Sequence, residues 1–129
     1  MKVPDLTDLE QAGVHSWTGD AATLASAAAA GGFKYHAANL HGVASKSDLM
    51  KALAQGLNLP GHFGSNWDAL ADSLEDDDWL GHGGAVVLLE HASPYRKAHS
   101  QDWTTLEDIL AEAADYWRDL RKPFWVFVH

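Results

Sequence analysis

Residues 59–80 read "LPGHFGSNWDALADSLEDDDWL", a helix-length stretch with six carboxylates and no Lys or Arg. Three kinds of chemistry use such groups. Carboxylates form short, charge-assisted bonds to Lys and Arg, bidentate with a guanidinium. Two carboxylates on one helix, such as Asp68 and Asp72, could in principle act as an acid/base pair. Carboxylates combined with His hold metals. The last two find little support. No nucleophile motif, G-x-G-x-x-G or Walker-type loop accompanies the acids, and an exposed helix face does not desolvate a carboxylate. The eight His, at 15, 36, 41, 62, 82, 91, 99 and 129, include no H-x-x-x-H pair. We expect no catalytic residue, no metal site and no cofactor.

What remains is either a solvated face on an acidic protein or a surface that binds a cation. The N-cap falls at Ser65 or Asn66, and the helix runs from about Trp67 to Glu75 or a little beyond. At 100° per residue, Trp67, Leu70 and Leu74 share one side, and Asp68, Asp72 and Glu75 share another roughly a quarter-turn away. Like charges at this spacing weaken a helix. Asp68 sits in the first turn, where the dipole favours it, but Asp76, Asp77 and Asp78 fall at or past the carboxyl end, where it does not. Helix design alone therefore does not explain the cluster. From residue 52 to residue 95 there is no Lys or Arg against seven carboxylates. A one-sign field of this kind steers a partner of the opposite sign.

The elements that must position this face alternate along the chain. Residues 14–17 read as a short strand, and Asp20 caps the helix-forming run "AATLASAAAA", which Gly31 and Gly32 stop. Residues 33–40 form a strand. A helix capped by Ser45 or Ser47 follows, with Leu49, Met50, Leu53 and Leu57 on its buried face. "AVVLLE" at 85–90 is a continuous apolar run, as expected of a central strand covered on both faces. Residues 91–102 read as a loop. A helix with a Thr104/Glu107 capping box then repeats Leu106, Ile109, Leu110, Ala113, Trp117 and Leu120 at helical spacing, and Pro123 opens a terminal strand. Strands separated by helices imply an α/β fold with a small, mainly parallel sheet of three or four strands packed with helices. Of the six Trp, Trp67, Trp117 and Trp125 read as core, Trp17 and Trp103 are open, and Trp79 reads either as core or as an anchor beside the acids.

The 129 residues suit one domain. Eighteen carboxylates against nine Lys plus Arg give a net charge of −9, which disfavours direct nucleic-acid or anionic-membrane binding. There is no Cys, and no stretch has the length of a membrane span or the form of a leader. A cytoplasmic protein, monomeric when free, is the expectation.

One resemblance rests on these residues. "SKSDLMKALAQGLN", then "LPGHFGSNWDALADSL", then "VVLLE" is similar to the barstar-like family of intracellular ribonuclease inhibitors. The pattern covers residues 33–129, and residues 1–32 read as an added strand and helix on a single domain spanning 1–129. The resemblance implies no enzyme activity and an immunity or antitoxin role against a small basic ribonuclease or related toxin domain. It implies that the acidic helix occupies the partner's phosphate-binding site, with Asp72 at the dominant anionic contact and Asn66, Asp68 and Glu112 as further contacts. His62 and Ala71 stand where the family pattern has large aromatics, and Glu75, Asp76 and Trp79 complete the implied surface. The competing expectation is a non-inhibitory module that uses the same face to hold a basic regulator.

Overall fold

The computed structural model describes residues 2–60 and 65–129. The described elements run β1 (Val14–Ser16), α1 (Ala21–Ala30), β2 (Lys34–Asn39), α2 (Lys46–Gly56), α3 (Trp67–Leu74), α4 (Asp77–Leu80), β3 (Ala85–Glu90), α5 (Ser93–Ala98), α6 (Ser100–Asp119) and β4 (Phe124–Val128). The strands form one sheet in the order β1-β4-β3-β2, every pair parallel. This is the expected α/β fold, with β3 and β4 as its interior strands.

Period-two burial explains why both faces are covered. In β3 and β4, Ala85, Val87, Leu89, Phe124, Val126 and Val128 face a core shared with α2, α3 and α6. Val86, Leu88, Trp125 and Phe127 face the opposite core, with Leu24 and Ala28 of α1 and with Leu6, Ala12 and Trp17. Every residue of β4 is buried. The layers are therefore helix, sheet and helices.

Local signals set most boundaries. Asp20 caps α1 by accepting from Thr23 N, and Ser45 rather than Ser47 caps α2 by accepting from Asp48 N. Gly56, near the end of α2, lies so close to β2 that a Cβ there would stand 2.5 Å from Ala38 Cα. Only glycine permits that approach. The segment before α1 is tied down by polar bonds to distant parts: Trp125 Nε1 donates to Leu6 O (2.9 Å), and Arg118 Nε donates to Leu9 O (2.9 Å).

The region after β3 differs from expectation. Residues 91–102 are not a loop: Pro94 sits in the first turn of α5, and α6 starts at Ser100. Proline suits that turn because its missing N–H has no helical partner there. Thr104 consequently lies inside α6, where its Oγ1 donates to Ser100 O (3.0 Å), so there is no Thr104/Glu107 capping box. Leu120 follows the end of α6 and is 51% exposed, so it is not part of the buried stripe. Trp17 and Trp103 are both core residues.

The second core makes a direct prediction. A chain shortened to residues 33–129 should expose Val86, Leu88, Trp125 and Phe127, bind a hydrophobic dye and lose cooperative thermal unfolding. Unchanged unfolding of the shortened chain would show that α1 and its lead-in contribute no essential cover.

Candidate functional site

The acidic helix is held from below and ends where its caps dictate. Asn66, not Ser65, is the N-cap of α3, its Oδ1 accepting from Ala69 N at 2.7 Å. Ser65 just before it has φ +55°, a left-handed turn into the cap. Leu70 and Leu74 are fully buried against the core, while Trp67 is half-buried with the Lys46 ammonium 5.2 Å from its ring centre. Trp117 Nε1 of α6 donates to Leu74 O at 2.7 Å. That buried bond satisfies a carbonyl of the last turn, which has no intrahelical partner. These contacts set which side of the helix faces the core.

With the apolar side fixed, the acids have one direction to face. Asp68 and Asp72 are exposed and Glu75 is half-buried at the C-cap. Burial, then the charges of Asp72 and Glu112, hold the Glu75 carboxyl above its ordinary range. The packing of α3 on α6 thus brings Glu112, which is distant in sequence and exposed, toward the end of the acidic face. Ala71 is half-buried on the same helix. His62 lies outside the described residues.

The second half of the acidic run has a different role from the one expected. Asp76, Asp77 and Asp78 do not trail off the carboxyl end of α3; they begin α4. Asp76 is the N-cap, its Oδ1 accepting from Asp78 N (2.8 Å) and Trp79 N (3.3 Å), and Asp77 and Asp78 form the first turn. There the helix dipole favours them. Two lysines remote in sequence also reach this turn. Lys34 Nζ donates to Asp78 O (2.8 Å) and Trp79 O (3.2 Å), and Lys122 Nζ lies 3.3 Å from Asp77 Oδ1. The absence of basic residues between 52 and 95 does not carry over into space around α4. An N-cap followed by acids and then Trp-Leu is itself a helix-start signal, which the length of the acidic run obscured.

Trp79 is not presented to a partner. It is 7% exposed, donates from Nε1 to Leu57 O (2.7 Å), stacks on His36 and meets Phe124 edge-on. Its place is the core. The structure also gathers three histidines that the sequence keeps apart: His41, His91 and His129 follow three adjacent strands, with ring centres 5.8 and 6.3 Å apart in succession. Among the described residues no group of three or more His, Asp or Glu is arranged to hold a metal ion. No described helix is long and apolar enough to cross a membrane.

Fold and site together define a parallel α/β protein that presents a fixed, outward carboxylate face on an apolar base. Residues 33–129 match the family model for barstar, described as the barnase inhibitor, and the chain belongs to the barstar family. That family is one of ribonuclease-binding inhibitors rather than enzymes. No curated protein matches the chain. The match begins at Phe33 and leaves β1 and α1 outside it.

The two halves of the acidic run should separate by mutation. Asp76→Ala removes a cap and should lower stability by about 1 kcal/mol in urea unfolding, whereas Asp68→Ala should stay within about 0.5 kcal/mol. Equal effects would contradict the division between a folding half and a presenting half.

Proposed function

We propose that this protein is an intracellular inhibitor of a small basic ribonuclease or related toxin domain, an immunity or antitoxin protein that blocks its partner's cationic active site without catalysis. The contact surface in this reading is Asn66, Asp68, Ala71, Asp72 and Glu75 of the α3 segment with Glu112 of α6, together with His62. Asp76 belongs to its margin and acts mainly as a cap. Residues 33–129 carry the surface, and residues 1–32 complete the second core of the same domain.

The supporting observation is the environment of Glu75. Burial first, and then the like charges of Asp72 and Glu112, raise its proton affinity, so like charges stand close together on this face in the free protein. An Arg or Lys from a partner offsets the like charges and favours the ionised carboxylate, which suits this face to a cationic ligand. A ribonuclease site that binds RNA phosphates is lined with such cations. Asp68 and Asp72 sit on the outside of a helix whose other side is locked by Leu70, Leu74 and the Trp117 bond. Little conformational freedom is then lost on binding. We further propose that the free protein is a cytoplasmic monomer, and that His62 and Ala71 give it a partner preference different from that of family members with aromatics there.

Affinity capture with the purified chain, followed by an RNA-cleavage assay on whatever basic protein is retained, tests the inhibitor reading. Loss of cleavage on adding the chain supports it, and capture without any effect on cleavage points to the non-inhibitory module. Asp72→Ala should weaken the complex by about 2 kcal/mol or more while leaving thermal unfolding almost unchanged. Unchanged affinity with an intact fold would remove Asp72 from the contact.

Steering adds a kinetic expectation. The association rate should fall by about tenfold or more as added salt shortens the Debye length from about 30 Å to about 3 Å. Stopped-flow measurements that show no salt dependence would rule out steering by this face.

A further inference from the structure

His36 lies in β2 and is 7% exposed, the only histidine among the described residues that is buried. Its ring stacks on Trp79, with centres 5.0 Å apart and planes 15° from parallel. Nδ1 lies 3.1 Å from the side-chain amide nitrogen of Asn58. That nitrogen can only donate, so Nδ1 accepts and the ring proton is on Nε2, which is buried with no partner among the described residues. His36 thus has one hydrogen bond that exists only while Nδ1 is unprotonated.

The partners of the ring lie at a sensitive place. Asn58 holds φ +54° just past the end of α2, and Trp79 donates to the carbonyl of the neighbouring Leu57. Stack and hydrogen bond together clamp the exit of α2, from which the chain continues to Asn66 and the acidic helix. We infer that His36 is an acid-sensitive positioning residue: its neutral ring holds Asn58 and Trp79 and so fixes the exit of α2, and protonation of that ring releases it.

The surroundings offer a protonated ring little compensation. β3 supplies Val87 opposite His36, α2 leads into Asn58, and α4 supplies the face of Trp79, which can attract a cation. The Asp77 carboxylate of α4 is exposed and turned to Lys122, and the Lys34 ammonium is bonded to α4 carbonyls. Burial, then the charge of Lys34, lowers the proton affinity of the ring. A histidine held in its neutral form binds fewer protons folded than unfolded. Its contribution is therefore complete above about pH 6.5, the ordinary histidine value, and is lost as pH falls through the lower value of the folded state. The consequence for partner binding rests on the inhibitor reading; the local opening does not.

The test uses the free, full-length chain. Amide exchange, read as protection factors, is followed from about pH 7.5 to about pH 5, with nitrogen NMR of the His36 ring over the same range. Protection of Leu57, Asn58 and Leu59 and of Ala69 in the first turn of α3 should fall by up to about tenfold per pH unit below about pH 6.5 and level off where the folded ring titrates, while β3 and β4 stay protected. His36→Gln, which keeps an acceptor but cannot titrate, should abolish the pH dependence. Persistence of the dependence in that variant, its absence from the native chain, or a ring proton found on Nδ1 at neutral pH would each overturn the inference. If His36→Gln fails to fold, the native chain alone decides, because the fall in protection must begin near the ordinary histidine value of about 6.5 and level off where the native ring titrates. A fall that starts elsewhere or continues below that midpoint refutes the link. No partner enters the measurement, so its outcome is independent of whether Asp72→Ala affects binding.

Discussion

A parallel sheet whose inner strands are apolar on both faces must be covered twice, and this constraint organises the molecule. β3 and β4 have no polar side for solvent. One face is closed by α2 and α6 with α3 along its flank, and the other by α1 and the irregular segment before it. The acidic helix owes its orientation to the first of these covers. Leu70 and Leu74 are drawn into the core, Trp117 takes the free carbonyl of Leu74, and the carboxylates are left outward by geometry. A site built on a face that folding already fixes needs little ordering when a ligand arrives.

Charge in this protein divides by position rather than by residue type. Asp20 and Asp76 cap helices, Asp77 sits in the first turn of α4 opposite Lys122, and Lys34 reaches the α4 backbone. These charges serve the fold. Asp68 sits in the first turn of α3, where the dipole favours it, whereas Asp72 caps no helix and Glu75 stands near the like charges of Asp72 and Glu112. Like charges thus stand close within one helix spacing on α3, while one turn further on they are met by lysines.

The base of the face holds a second kind of tension. Burying a histidine beneath a tryptophan leaves one ring nitrogen without a partner among the described residues, whereas an apolar residue in its place would leave none. The buried imidazole lies where three elements meet: β2 carries it, α4 stacks on it, and the end of α2 bonds to it. Its effect is felt at the junction from which the chain turns toward the acidic helix.

Much of this was legible in one dimension. The helix cap at Asp20, the caps of α2 and α3 to within two candidates each, the continuous apolar strand at 85–90, the terminal strand after Pro123 and the two sides of α3 all follow from local rules, because caps, periodicity and proline act over a few residues. The family pattern over residues 33–129 was likewise readable, since it is a matter of spacing. Where the local signal was weak or doubled, reading failed. Proline in the first turn of α5 looked like a loop, Thr104 looked like a cap, and Asp76 was absorbed into the acidic run before it. Tertiary structure alone decided the rest: that Trp79 is core, that Glu112 comes near Glu75, that Lys34 and Lys122 reach α4, and that His36 is buried on Asn58 and Trp79. The physical reason is common to all four. Each depends on contacts between residues 22 to 45 positions apart or more, set by which helix lies over which strand, and no local propensity encodes that placement.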